Sequence, residues 1–532
     1  MTKLLEIHKL SVALPAKADR IHAIEEVSFS VDRNEIVCVV GESGSGKSVT
    51  AFSVMGIHDK RALKIISGEI LFDGIDLTQI GETEFRKLRG KKLAMIFQEP
   101  MTALNPVMKV GDQITEVLEI HTELSQSARN ARAIEAMEDV NLPDPKKIYH
   151  SYAHQLSGGQ RQRIMIAMAL ALEPDLLIAD EPTTALDVTT QANILELIKD
   201  IQHRRNIGVL FITHDFGVVA DIADRVVVMK HGKIVEQNSV RSILKEPKHE
   251  YTKMLISSVP SLEPPSSSAN DAEPTLQLKA VDKKFGQKSF SSKGRIVHAA
   301  SQVDLCVAPG ETLGVVGESG SGKSTVARCA IRLIQPDTGQ IIVEETNIAN
   351  LGETSLRPLR KNIQIVFQDP YRSLNPRRTI GQSIVEGPIN FGQSPVEAIK
   401  KAKGLMEIVG LKPDNFDRFP HQFSGGQRQR ICIARALAMQ PKILIADEAV
   451  SALDVSVQAQ VLDLLEEIKE QFSLAVLFIT HDLRVAAQIC DNIIVMKKGE
   501  VVESGSTYEI YNKPQHPYTQ SLLKAAPGQA YF

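Results

Sequence analysis

The chain carries one hydrophobic pattern twice. Residues 4–10 alternate apolar and polar positions in the manner of a half-buried strand, and residues 276–281 restart the same alternation. Short uninterrupted apolar runs follow at 37–40 and 313–316, which predict strands buried on both faces. Each run leads into the same eight residues, GESGSGKS, at 41–48 and again at 317–324. A helix-rich middle comes next (about residues 111–155 and 381–422), then two further apolar strands. Each half closes on a basic hairpin, 226–236 and 493–503, with turns at His231-Gly232 and Lys498-Gly499. Strands alternating with helices predict an α/β fold class with a parallel core in each half. The expected boundaries are a first domain over 1–259, a linker over 260–274 and a second domain over 275–532. The linker, PSLEPPSSSANDAEP, is rich in Pro and Ser, has no hydrophobic period and reads as solvated.

Composition adds limits. At 532 residues the chain is too long for one core, in keeping with the duplication. A net charge of −3 gives no electrostatic case for nucleic acid. The five cysteines (Cys38, Cys306, Cys329, Cys432 and Cys490) lack metal or disulfide spacing and read as small core residues in a reducing compartment. The opening MTKLLEIHKL has no signal-peptide apolar region. No stretch approaches the roughly 18–20 apolar residues of a membrane span, so a soluble, cytosolic chain is expected.

The repeated octapeptide fits the phosphate-loop pattern G-x-x-x-x-G-K-[ST], and each copy lies between a predicted strand and a predicted helix. Its glycines let consecutive backbone N–H groups point inward at phosphate oxygens. Lys47 and Lys323 supply positive charge to the β- and γ-phosphates, and the Ser48 and Ser324 hydroxyls reach a Mg²⁺ ion. Gly41, Ser43, Gly44, Gly46 and Val49 complete the first cradle; Gly317, Ser319, Gly320, Gly322 and Thr325 complete the second. One glycine-rich turn says little. Two identical ones in the same setting predict nucleotide binding.

Four further motifs recur at matched spacing. LSGGQRQRI brings Ser157, Gly158, Gly159 and Gln160 to the mouth of an apolar helix, and FSGGQRQRI does the same with Ser424, Gly425, Gly426 and Gln427. Such an N-terminus binds anions, with hydroxyl and backbone N–H groups aimed outward. Alone it is an ordinary helix cap; its duplication with matching flanks favours function. Asp180 and Asp447 each stand 23 residues after the signature serine, at the end of an apolar strand, and are followed by Glu181 and Glu448. Consecutive strand positions point in different directions. The aspartates are therefore placed for a Mg²⁺ shell and the glutamates to polarise a water against the γ-phosphate. His214 and His481 end another apolar strand, 34 residues after the strand acid in both halves, which points to a γ-phosphate or water contact. Gln98 in IFQEP and Gln368 in VFQDP follow a strand where the core joins the helical insert, and their amides are weak Mg²⁺ ligands.

In this order the motifs resemble, twice over, those of ATP-binding cassette proteins: Walker A, Q-loop, signature, Walker B, D-loop (Ala185-Leu186-Asp187 and Ala452-Leu453-Asp454) and H-loop. The resemblance covers essentially the full length. It implies two nucleotide-binding domains, each a RecA-like parallel-sheet core with an antiparallel β subdomain and a helical subdomain. It further implies a head-to-tail pair of cassettes. One ATP site then combines Lys47, Asp180 and Glu181 with Ser424, Gly425 and Gly426. The other combines Lys323, Asp447 and Glu448 with Ser157, Gly158 and Gly159.

EPMTALNP after the first Q-loop, DPYRSLNP after the second, PKHEYT at 247–252 and PQHPYT at 514–519 resemble the ATPase subunits of oligopeptide, dipeptide and nickel importers. Two cassettes on one chain are similar to the fused peptide-import ATPases of the microcin C type, with glutathione-type fused importers nearest by pattern. The resemblance implies ATP and Mg²⁺ as cofactors, and two integral-membrane permease subunits as direct partners. A periplasmic or extracellular peptide-binding protein is implied as an indirect partner, and nucleic acid is not. The expected location is peripheral, on the cytoplasmic face of the inner membrane. Some family members hold an iron–sulfur cluster on cysteines of the C-terminal extension; none stands near residues 247–260 or after Cys490, so no cluster is expected. A soluble tandem cassette acting on the ribosome or DNA is disfavoured by a linker that is neither long nor a charged helix. An exporter is disfavoured by the LNP and H-x-Y-T marks.

Two departures bear on the sites. Ala449 and Val450 stand where the first half has Pro182 and Thr183, which touches fine geometry while leaving the acids in place. The family stacks adenine on an aromatic residue upstream of Walker A; Phe285 suits that role, whereas the same register in the first half offers Leu14. An aromatic face contributes on the order of 1 kcal/mol. The site using Lys47 is therefore expected to bind ATP several-fold more weakly than the site using Lys323, and to separate it less well from GTP. Nucleotide titration of Lys47→Ala against Lys323→Ala checks this, because each variant leaves one site to report. Equal affinity and equal ATP/GTP preference would contradict it.

Overall fold

A computed structural model describes residues 3–15, 20–58, 63–184, 186–264, 272–286, 296–451, 453–529 and 531. Ala185 and Ala452 of the D-loops, and residues 265–271 of the expected linker, lie outside the described residues. The chain divides into two compact units, the first comprising Met1–Leu186, Thr190–Val259 and Pro527–Tyr531, the second Asp187–Thr189 and Pro260–Ala526.

Each unit is built on a six-stranded sheet. In the first the order is Lys233–Ser239, Arg225–Lys230, Ile36–Val40, Gly208–Thr213, Leu176–Asp180 and Leu93–Ile96. All neighbours are parallel except the terminal hairpin. The second unit repeats this with Glu500–Ser506, Asn492–Lys497, Thr312–Val316, Ala475–Ile479, Ile443–Asp447 and Ile363–Val366. Parallel strands need crossovers, and helices on both faces bury them, which is why Ile36–Val40 and Thr312–Val316 are apolar at nearly every position and buried at all. The hairpins turn through His231 and Gly232 (φ 48° and 84°) and through Lys498 and Gly499 (φ 49° and 90°), the two positive φ values a type I′ turn requires.

A second, antiparallel sheet flanks each core. Lys3–Ala13 pairs with His22–Asp32 and Lys64–Phe72, and Leu276–Phe285 pairs with Val297–Val307 and Thr338–Val343. The simple alternation expected over residues 4–10 breaks: Leu4 and Leu5 are both buried, and the register shifts between Ile7 and Leu10. Lys9 takes a left-handed φ of 44° there, and its N–H donates to Ser28 Oγ at 2.7 Å. Ala280 repeats the bulge with φ 48° and an N–H bond to Asp304 Oδ1 at 2.9 Å. A bulge exchanges the faces of a strand, so both ends still bury apolar side chains.

The helical middles form as expected, with Val110–His121 and Gln126–Asp139 packed on Gly158–Leu170 in the first unit. Ile380–Asn390 and Pro395–Ile408 pack on Gly425–Leu437 in the second. Cys38, Cys329, Cys432 and Cys490 are buried thiols, while Cys306 is exposed. Among the described residues no helix is long and apolar enough to cross a membrane.

Candidate functional site

The phosphate loop bridges the central strand and the helix after it. Helix Lys47–Met55 starts from Gly46 at φ 104°, and Lys323–Ala330 from Gly322 at φ 111°. A Cβ on Gly46 would lie 2.5 Å from Ile24 Cγ2, and one on Gly322 would lie 2.1 Å from the Ala299 carbonyl, so the turn admits only glycine. Inside the loop, Lys47 Nζ donates to the carbonyls of Gly41 (2.6 Å) and Glu42 (3.0 Å). Lys323 Nζ repeats this with Gly317 (2.6 Å) and Glu318 (2.9 Å). Burial lowers the Lys323 pKa against the pull of the surrounding carboxylates. Ser43, Gly44, Ser319 and Gly320 are exposed at the loop tips, whereas Val49 packs against the core. Arg20, which belongs to none of the sequence motifs, donates to the Gly44 carbonyl at 2.5 Å.

The strand acids meet the loop. Ser48 Oγ donates to Asp180 Oδ1 at 3.0 Å, and Ser324 Oγ to Asp447 Oδ1 at 3.0 Å. Burial pushes Asp180 up to about 6 against the Ser48 hydrogen bond, and pushes Asp447 up likewise. The glutamates are not consecutive strand residues as expected. Each strand ends at the aspartate, and Glu181 and Glu448 take left-handed φ values of 47° and 49°. Their N–H groups bond to the Ile212 and Ile479 carbonyls at 2.9 Å, which holds the turn. This kink, not the strand pleat, separates the two carboxyls.

Around Glu181 the motif glutamine and histidine converge. Gln98 Nε2 donates to Glu181 Oε2 at 2.9 Å, and His214 Nδ1 lies 3.3 Å from the same oxygen. Around Glu448, Gln368 Nε2 donates at 2.7 Å and His481 Nδ1 lies at 3.5 Å. Burial raises the Glu181 pKa, but His214, Lys47 and Thr184 outweigh it and hold the carboxyl at about 2. His481 and Lys323 hold Glu448 below its ordinary value in the same way, again against burial. Both glutamates are thus acceptor-only carboxylates. Thr184 was missed in the sequence: its Oγ1 donates to Glu181 Oε2 at 3.0 Å, whereas Ser451 Oγ in the second half donates to the Glu448 backbone carbonyl at 3.0 Å.

The signature residues start the long helices of the helical middle. Ser157 caps Gly158–Leu170, accepting from the Gln160 N–H (3.3 Å) while Gln160 Oε1 accepts from the Ser157 N–H (3.0 Å). Ser424 and Gln427 form the same reciprocal box at 3.3 and 3.1 Å. The hydroxyl oxygen is therefore turned into its own helix rather than simply outward. Leu14 packs against the first core, and Phe285 ends its strand half-exposed with Lys283 Nζ 5.6 Å from the ring centroid.

The P-x-H-x-Y-T segments also acquire a structure. His249 caps helix Glu250–Ser257 by accepting the Tyr251 N–H at 3.1 Å. Glu236 of the hairpin accepts from the Lys248 and His249 N–H groups at 2.8 and 3.0 Å. His516, Glu503 and helix Pro517–Lys524 repeat this in the second half.

Residues 24–184 and 300–451 match the family described as ABC transporter, and residues 235–290 and 502–529 match the oligopeptide/dipeptide transporter C-terminal region. The chain belongs to the ABC transporter family. Glutathione import ATP-binding protein GsiA of Salmonella choleraesuis (strain SC-B67) is 45% identical over 558 residues, covering 98% of this chain and 89% of that protein. The Escherichia coli O157:H7 protein of the same name is 45% identical over 556 residues, with the same coverage. A solved dimer of the ATP-binding cassette MJ0796 bound to ADP and Pi is 28% identical, with a TM-score of 0.41, covering 44% of this chain and 99% of that one. This ABC transporter ATPase of the oligopeptide/dipeptide type carries its family's cassette twice, and it binds and hydrolyses ATP.

The halves differ in how they hold the glutamate. Thr184→Val in a Lys323→Ala background is expected to slow turnover at the first site about 5–10-fold, because a hydrogen bond to a charged group is lost. Ser451→Ala in a Lys47→Ala background is expected to leave the second site within about two-fold. Single-site ATPase rates check the pair; equal losses would contradict the assignment.

Proposed function

We propose that this chain energises an importer for short peptides of the glutathione class. The observation that carries the reading is 45% identity, over 98% of the chain, to glutathione import ATP-binding proteins. Two matched sets of loop lysine, strand aspartate and turned-out glutamate support it. In each domain, over 1–259 and 275–532, the loop (from Gly41 to Val49, and from Gly317 to Thr325) cradles the phosphates, with Lys47 or Lys323 as the counter-charge. Glu181 and Glu448 polarise the attacking water, oriented by His214 and His481.

Ser48 with Asp180 and Ser324 with Asp447 present hydroxyl and carboxylate oxygens 3.0 Å apart, the hard donor type that Mg²⁺ takes, and Gln98 and Gln368, bonded to the neighbouring glutamates, offer an amide oxygen as a further ligand. Bound Mg²⁺ supplies charge neutralisation on the phosphates. In this reading Phe285 stacks on adenine, and the Ser157-Gly158-Gly159-Gln160 and Ser424-Gly425-Gly426-Gln427 caps receive phosphate.

The segments after the Q-loops expose Met101 (55%), Val107 (79%) and Tyr371 (65%). Exposed apolar residues beside nucleotide-sensing glutamines suit two integral-membrane permease subunits, fed by an extracytoplasmic binding protein. The chain then sits peripherally on the cytoplasmic face of the inner membrane.

With both permeases and the binding protein in proteoliposomes, wild-type chain is expected to drive ATP-dependent glutathione uptake. Glu181→Gln with Glu448→Gln is expected to bind ATP and stall, losing about 10²–10⁴ in rate because water polarisation is removed while the cradle stays intact. A double variant that hydrolyses ATP at wild-type speed would sink the catalytic assignment; ATP turnover without uptake would sink the cargo.

A further inference from the structure

The tyrosine of each P-x-H-x-Y-T segment reaches the phosphate loop of its own half. Tyr251 accepts the Glu42 N–H on its hydroxyl oxygen at 3.2 Å and donates its proton to Glu42 Oε2 at 3.1 Å. One hydroxyl thus grips a single loop residue at two points. Lys230 Nζ stands 4.5 Å from the Tyr251 ring centroid and fixes the ring from the other side. The second half repeats the backbone contact and the stacked lysine, with the Glu318 N–H donating to Tyr518 Oη at 3.1 Å and Lys497 Nζ 4.4 Å from the ring. Two copies separated by 276 positions of chain (41 to 317) arrive at the same contact.

The gripped residue is the one acid in the octapeptide GESGSGKS. A carboxylate in a loop that must receive a polyanion opposes binding unless it is held elsewhere. The Glu42 carbonyl also accepts from Lys47 Nζ, so the residue lies between the tyrosine and the phosphate-binding lysine.

Resting on the ATP-site reading above, we propose that Tyr251 and Tyr518 are positioning residues for ATP. Each holds the leading glutamate of a phosphate loop against the C-terminal helix and so fixes where its negative charge sits relative to the N–H groups and lysine that the loop presents. The C-terminal extension is thereby wired to the nucleotide loop of its own half.

The test uses the full chain with one site silenced. In a Lys323→Ala background, Tyr251→Phe keeps the ring under Lys230 and removes only the hydroxyl. The expected result is an ATP Kd raised about ten-fold with kcat within about two-fold, since a charge-assisted bond is lost at binding and not at the chemical step. Glu42→Gln added to Tyr251→Phe is expected to recover most of that affinity by removing the released charge. Tyr518→Phe and Glu318→Gln in a Lys47→Ala background are expected to mirror this.

Unchanged ATP affinity in both phenylalanine variants would overturn the proposal. A loss that the glutamine substitution does not rescue would overturn it too, leaving the hydroxyl as a scaffold contact, as would failure of both variants to fold. A chain with both tyrosines intact that binds no ATP refutes the ATP-site reading itself and carries this proposal down with it.

Discussion

The structure of each half depends on keeping a buried ammonium group in a loop of eight residues. Lys47 and Lys323 are 5% and 4% exposed. Burying a charge is costly unless polar groups compensate it. Here the carbonyls of the loop itself do so, Gly41 and Glu42 in one half and Gly317 and Glu318 in the other. That requirement fixes the loop's path, and the path fixes where the central strand stops and the next helix starts. The neighbouring serine then lands on the strand aspartate, and the aspartate's strand carries the glutamate that the Q-loop glutamine and the histidine meet.

What was legible in the chain divides along a physical line. Side chains at fixed local spacing, as in the phosphate loops, the aspartates, the glutamines and the histidines, could be located from residue order, and the structure brings them together. So could the parallel sheet, because strands buried on both faces leave uninterrupted apolar runs. Conformations that side chains do not announce were not legible. Glu181 and Glu448 look like strand residues, yet backbone bonds to Ile212 and Ile479 hold them in the left-handed region. The bulges at Lys9 and Ala280 hide inside an alternating pattern. The grip of Tyr251 on Glu42 joins residues 209 positions apart, and no local period marks it. A faint signal did exist for Thr184, since the two Walker B segments diverge just there.

The two halves share an architecture without being equivalent. Thr184 braces the Glu181 carboxylate, whereas Ser451 turns to the backbone. In the second half Arg428 of the signature helix lies 3.6 Å from the centroid of the Tyr371 ring, on the segment after the Q-loop; the first half has Met101 in that segment. An Arg–aromatic stack ties the signature helix to the post-Q-loop segment. The second domain thus carries an Arg–aromatic stack beside its Q-loop, and the first a side-chain brace on its glutamate.

Each half presents its own phosphate-loop lysine, strand aspartate and turned-out glutamate, so each is expected to hold one ATP. Equilibrium titration of the full chain carrying Glu181→Gln and Glu448→Gln, with Mg²⁺ present, counts those sites without interference from hydrolysis. The account predicts two ATP bound per chain, falling to one when either Lys47 or Lys323 is replaced by alanine. A stoichiometry of one for the chain with both lysines intact would contradict it.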